Sequence, residues 1–306
     1  MPTHPSFRAV RTEGTGAMNT PSAGSIYVAR SLPAALDALN DCGSAGAPFA
    51  GGTWIMRSPI RHEPHNPHYV AIGKIPELTA IRIDANIVEI GAAVSHAALA
   101  SALADLSEFD VLATAAGRSA NPAIRAMATI GGNLSTSDFA AADCLPALLC
   151  LDAEVEVSSR GDRERIGLER FLKIRPTLEP GRLLTRIILS RRDRKTAHVR
   201  LPLRKSGDYS AAIVSLAVSF DAAARVQTAR IAVGSVEPVA RRWERLEAVL
   251  VGRPLDPTHA AEAATELADE FTGRDSVELP AWYRVGVLPS LVRRASVAAL
   301  DAKMES

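Results

Sequence analysis

The chain has 306 residues, with 35 Lys and Arg against 34 Asp and Glu for a formal net charge of +1, and 47% of it is hydrophobic. That length suits about two domains at roughly 150 residues each. The near-neutral balance argues against a nucleic-acid partner, which is gripped by clustered positive charge, and no apolar run approaches the roughly 18 to 20 residues of a membrane-spanning helix. Three cysteines, Cys42, Cys144 and Cys150, are too few and too irregularly spaced for a disulfide framework or four-thiolate ligation of zinc or an iron–sulfur cluster. A cytoplasmic location is expected. The opening stretch has no apolar core for a signal peptide, and residues 1–24 are expected to form a flexible extension ahead of a structural start near Ser25.

From there the pattern Leu32, Ala35, Leu36, Leu39 predicts a helix capped by Ser31 and stopped at Gly43. Short apolar runs at Pro48–Ala50, Tyr69–Ile72, Ala80–Ile83 and Ile87–Ala93 predict strands. Helical stretches follow near His96–Ala104 and Asp110–Ser119, then strands at Glu154–Ser158, Arg165–Ile166 and Arg182–Leu189. The charged run Ser190–Thr196 marks a composition break and is expected to be a solvated linker. Beyond it come three strands, near Ala197–Leu203, Ile213–Asp221 and Gln227–Val236, with a turn at Ser206-Gly207-Asp208. Helices near Val239–Val251, Pro257–Glu270 and Leu288–Lys303 complete an α+β domain built on a three-stranded antiparallel sheet.

Two glycine pairs carry the chemistry. Ala50-Gly51-Gly52-Thr53-Trp54-Ile55 leaves a predicted strand, and Thr129-Ile130-Gly131-Gly132-Asn133 lies in a stretch of small residues. Glycine lets a ligand approach the backbone, successive exposed N–H groups make an anion nest, and two such loops can hold a pyrophosphate. A Gly-x-Gly-x-x-Gly fingerprint, a Gly-x-x-x-x-Gly-Lys loop and a Gly-x-Ser-x-Gly elbow are all missing, which disfavours a Rossmann dinucleotide site, a nucleoside-triphosphate loop and a hydrolase nucleophile.

Asn121-Pro-Ala-Ile-Arg125, then Thr129–Asn133 and Asp143-Cys-Leu-Pro146 through Ala153, together with Ala50–Thr53, resemble the FAD-binding medium subunits of the molybdenum hydroxylases. Ile75–Leu78, Ile90–Ala93, Gly181–Ile188, Arg200–Lys205, Tyr283-Arg284 and Arg294-Ala295 are similar to that family's later landmarks. The resemblance implies an α+β fold. A vanillyl-alcohol-oxidase-type (PCMH-type) FAD-binding domain of two α/β lobes over 25–195 would precede a C-terminal domain over 196–306. It further implies that Ala50, Gly51, Gly52, Thr53, Trp54 and Ile55, with Thr129, Ile130, Gly131, Gly132 and Asn133, hold pyrophosphate and ribityl chain through backbone donors. Asp143 matches an aspartate that contacts the cofactor, and Leu183 an apolar neighbour. The family spaces that aspartate nine steps from the loop and this chain ten, so Asp138 competes with Asp143. The family's flavin lysine falls on Arg200, with Lys205 as the alternative, and Asn121 replaces a family glycine.

The resemblance implies an electron-transfer subunit carrying FAD. Its partners would be a large subunit with the molybdenum cofactor and a small subunit with 2Fe-2S clusters, in a dimer of heterotrimers. A stand-alone FAD oxidoreductase and a scaffold without flavin are the alternatives. His62, His65 and His68, spaced by prolines in an extended segment, are expected to be a solvated loop. Ser95-His96 is expected to be a helix cap, and Cys144 and Cys150 buried small side chains.

Overall fold

The computed structural model describes residues 24–203 and 209–301. The expected extension therefore lies outside the described residues except for Gly24, as do Lys205 and the turn at Ser206-Gly207-Asp208. Three sheets follow one another along the chain. The first is parallel, in the order β1-β3-β2, and comprises β1 (Ser25–Val28), β2 (Gly46–Phe49) and β3 (His68–Ala71). The helix Leu32–Cys42 crosses between β1 and β2 as expected: Ser31 Oγ accepts from the Ala34 N–H at 3.3 Å, Gly43 ends it at φ +55°, and Leu32, Ala35, Leu36 and Leu39 are buried.

The second sheet contains β4 (Ile81–Ile83), β5 (Ile87–Gly91), β6 (Glu154–Ser159), β7 (Asp162–Gly167) and β8 (Leu183–Ser190), in the order β4-β5-β8-β6-β7. Every pairing in it is antiparallel. The helices between β5 and β6 cover it and share one core, which includes Leu99, Phe109, Leu112, Leu148 and Phe171.

The third sheet has four strands rather than three. They are β9 (Lys195–Pro202), β10 (Ser210–Phe220), β11 (Val226–Gly234) and the two-residue β12 (Arg241–Arg242), ordered β12-β11-β10-β9. The extra strand occupies the start of the expected Val239–Val251 helix, and helix begins only at Glu244. The run Ser210–Val218 is buried throughout. Its strand is central in the sheet and is packed by Leu288–Asp301 and by Cys144–Cys150. Cys144–Cys150 is buried at all seven positions and joins the third sheet to the rest of the molecule. Burial of each large side chain there contributes roughly 1.5 to 3 kcal/mol.

The charged run is exposed at Arg192 and Asp193, as expected, but pinned at Arg191 and Arg194. Arg191 Nε donates to Glu108 Oε1 at 2.8 Å, and Arg194 stacks over the Phe109 ring at 5.6 Å while donating to the Ser190 carbonyl at 2.8 Å. Burial pulls the pKa of the Arg194 guanidinium down.

Candidate functional site

The first glycine pair leaves the carboxyl end of β2, the side of a parallel sheet where ligand crevices form. Gly52 sits at φ +69°, a left-handed conformation that favours glycine, with the Phe49 ring where a side chain would lie. Gly51 is where the two loops touch, because a Cβ on it would lie 1.8 Å from the Met127 carbonyl oxygen and 3.3 Å from Ala128 Cα. That close approach places both loops on one cleft of about 440 Å³.

The loops differ in what they offer. Among the described residues, no hydrogen bond takes up the N–H groups of Gly51, Gly52, Thr53, Trp54 or Ile55. The second loop is not the open loop expected from the sequence. Thr129 caps a short helix, Ile130–Ser135, and its Oγ1 accepts from the Gly132 N–H at 3.2 Å. The Ile130, Gly131 and Asn133 N–H groups donate to the carbonyls of Val94, Ala92 and Thr129 at 2.9, 2.8 and 2.9 Å. Its backbone donors from 130 to 133 are therefore spent inside the protein. Gly131 is required by packing, since a Cβ would fall 2.6 Å from the Ala92 oxygen. Ile130 is core and does not line the cleft, whereas Thr129, Gly131, Gly132 and Asn133 do.

One wall is aromatic. Trp54 carries the Arg61 guanidinium at 3.9 Å from its ring centroid and meets Phe139 at 4.9 Å; Phe139 meets Tyr209 edge-on at 5.3 Å. Arg57 Nη1 donates to the Tyr209 hydroxyl at 3.1 Å. Arg57, Phe139 and Tyr209 line the cleft, yet no motif announced them, because they come from three distant stretches and meet only in the fold.

Asp143 and Leu183 also line the cleft. Asp143 is 3% exposed while its competitor Asp138 is on the surface. Its Oδ1 lies 3.1 Å from Arg200 Nε and 3.9 Å from His198 Nε2, the latter too far for a hydrogen bond. Burial pushes the carboxyl pKa up, against the pull of the neighbouring His198 and Arg200 side chains. Arg200 is not on the cleft surface. Its Nε donates to Ser210 Oγ at 2.9 Å and its Nη1 to the Arg118 carbonyl, so its guanidinium pairs with Asp143 while it ties into the third sheet.

Ser95 Oγ accepts from the Ala98 N–H at 3.2 Å, which is the expected cap, and Ser95 bridges to Thr129. His96 is buried and lines the cleft, a place its sequence context did not signal. Asn121, which stands where the family has a glycine, caps the helix Pro122–Met127 through Oδ1 to the Ile124 N–H at 3.0 Å. Cys144 and Cys150 are fully buried, and burial raises the pKa of both thiols.

The fit to a dinucleotide rests on the unspent donors of the first loop and on three buried polar atoms among the cleft residues, Asn133 Oδ1, His96 Nε2 and Asp143 Oδ1, that have no hydrogen-bond partner. Such atoms are costly unless a ligand meets them.

Residues 20–191 match the FAD binding domain in molybdopterin dehydrogenase, and residues 197–299 the CO dehydrogenase flavoprotein C-terminal domain. The chain is 31% identical over 232 residues to the nicotine 6-hydroxylase medium subunit of Paenarthrobacter nicotinovorans, covering 75% of this chain and 81% of that one. It is 29% identical to the carbon monoxide dehydrogenase medium chain of Afipia carboxidovorans over 87% of this chain and 93% of that one. Reconstituted CO dehydrogenase from Oligotropha carboxidovorans superposes with a TM-score of 0.82 at 26% identity, covering 91% of this chain and 98% of that chain.

Proposed function

The chain belongs to the FAD-binding medium subunits of the molybdenum hydroxylase family, and we propose that it is the FAD-carrying electron-transfer subunit of a heterotrimeric enzyme of that family. Electrons arrive from 2Fe-2S clusters in a small partner subunit, after hydroxylation at a molybdenum cofactor in a large one, and leave to a terminal acceptor. Two such heterotrimers pair, in the cytoplasm. The observation that carries this reading is the cleft on which both glycine loops meet, with the first loop's N–H groups still available.

FAD supplies the hydride and electron chemistry when bound. The chain's own residues bind and orient it. The N–H groups of Gly51 to Ile55, at the turn that Ala50 opens, take the pyrophosphate, each hydrogen bond to a charged group contributing roughly 1.5 to 3 kcal/mol. The Thr129 hydroxyl and the exposed face at Gly132 and Asn133 take the neighbouring chain. Leu183 supplies an apolar contact, and Asp143 presents a carboxyl that Arg200 keeps in place.

In this reading the first two sheets are the two lobes of a vanillyl-alcohol-oxidase-type domain over 25–195, and the C-terminal domain starts at 196, the second residue of β9. Acid or heat release of the flavin from the purified complex, followed by chromatography, tests the reading. FAD with a large and a small partner subunit is the expected result; FMN, or folded protein without flavin, overturns it.

A further inference from the structure

His96 is the polar cleft residue whose surroundings constrain its chemistry most. It is 3% exposed and lines the cleft. Its Nδ1 lies 2.8 Å from Ser119 Oγ, and Ser119 Oγ donates to the Ala116 carbonyl at 3.1 Å. A hydroxyl has one proton and a carbonyl only accepts, so Ser119 spends its proton on Ala116 and accepts from Nδ1–H. In that arrangement the ring proton is on Nδ1, and Nε2 presents a lone pair. Burial holds the imidazole neutral, with its pKa pushed down to about 4. Nε2 is buried without a hydrogen-bond partner. The ring is also anchored on its backbone side, because the His96 N–H donates to the Ala128 carbonyl at 2.9 Å beside Thr129. A neutral, buried acceptor on a residue that lines a binding cleft is satisfied by a ligand that brings a donor.

We propose that His96 is a cofactor-contacting residue whose Nε2 accepts a hydrogen bond from a sugar or ribityl hydroxyl of bound FAD. The choice of hydroxyl follows from the acceptor character of Nε2: the pyrophosphate oxygens accept and cannot meet it, whereas the hydroxyls of the cofactor donate. This inference rests on the FAD reading of the cleft. It adds an imidazole acceptor to a site that the backbone donors of the first loop, the Thr129 hydroxyl, Leu183 and Asp143 otherwise build.

The test is FAD titration into the flavin-stripped full chain, followed by flavin fluorescence, for wild type, His96→Leu and His96→Gln. His96→Leu is expected to weaken FAD about tenfold, the size of one hydrogen bond. His96→Gln, whose amide oxygen accepts, is expected to recover most of that loss. A His96→Leu protein that melts like wild type and binds FAD within twofold of it overturns the proposal. Should His96→Leu fail to fold, wild-type chain labelled with ¹⁵N-histidine decides: the Nε2 resonance shifts on adding FAD if the contact exists, and an unmoved resonance overturns it. If wild type in the assembled complex holds no FAD, the reading of the cleft fails and this inference with it; if wild type binds FAD and the variants match it, this inference alone fails.

Discussion

Gly51-Gly52 and Gly131-Gly132 line one cleft, and their backbone donors are in opposite states. The N–H groups around Gly51-Gly52 are unclaimed within the described residues, while those from Ile130 to Asn133 bond to Val94, Ala92, Thr129 Oγ1 and the Thr129 carbonyl. The first pair serves approach: one glycine takes a left-handed φ, and the other lets the loops touch at the Met127 carbonyl. In the second pair, Gly131 lets a helix lie against Ala92 and Gly132 leaves a bare face toward the cleft. A glycine pair beside a threonine thus has no single meaning, and the role of each glycine is set by what its missing Cβ would meet. Substitutions that add only that Cβ separate the roles.

Gly51→Ala is expected to have the largest effect. Its Cβ has backbone at 1.8 Å and nowhere to go, so the junction between the loops must open, at a cost of about 3 kcal/mol or more. Urea denaturation should show the loss, and FAD retention should disappear with it. Wild-type stability in this variant would break the claim that the two loops meet there.

Next in size is a pH effect on the second loop's side of the cleft. His96 titrates near pH 4 in the folded chain because burial, helped by the Arg125 charge, disfavours the imidazolium, against about 6.5 when unfolded. Above pH 6.5 both states are neutral and nothing is lost. As pH falls below 6.5 the unfolded chain takes up a proton that the folded chain refuses, and stability declines by roughly 3 kcal/mol on reaching pH 4. Denaturation of wild type and His96→Gln at pH 7, 5.5 and 4.5 isolates that part. The variant should lose less stability on acidification, and parallel curves would show that His96 is not held neutral.

These unequal roles explain what could be read from the amino-acid order. The helix Leu32–Cys42 was legible because its cap, its period and its stop are all local. The first loop was legible because it leaves a strand with two glycines and no helix former. The second was read as another open loop because Gly131-Gly132 lowers helix propensity, and the reason for Gly131 lies in Ala92, far along the chain. Cys144–Cys150 left no helical period because it is buried on every side. The two-residue strand Arg241–Arg242 is too short for any alternation to show. Asp143 was placed at the cleft in spite of its irregular spacing, while the alternative flavin cation Lys205 falls outside the described residues.

Gly131→Ala should fall between the extremes. The added carbon meets the Ala92 oxygen at 2.6 Å and its Cβ at 2.7 Å, a crowding that costs about 2 kcal/mol. Because the Gly131 N–H is already given to Ala92, FAD affinity of the folded variant should stay near that of wild type. A fall in affinity with unchanged stability would reverse the assignment and make Gly131 a ligand-facing glycine.

Gly132→Ala is the smallest change and the sharpest discriminator. Its Cβ would meet only Thr129 Oγ1, at 3.0 Å, and the residue is exposed at an ordinary helical φ. Replacing a helical glycine by alanine contributes up to about 1 kcal/mol, which offsets the crowding of Thr129, so stability should remain within about 0.5 kcal/mol of wild type. The methyl group nevertheless projects from a residue that lines the cleft, beside the threonine hydroxyl assigned to the cofactor. FAD should therefore bind a few-fold more weakly to a protein that is otherwise as stable as before, the opposite signature to Gly131→Ala. Paired urea and flavin titrations on the two variants measure both quantities. Unchanged FAD affinity in Gly132→Ala would mean that the second glycine pair does not lie against the cofactor, leaving the first loop as the glycine pair that holds it.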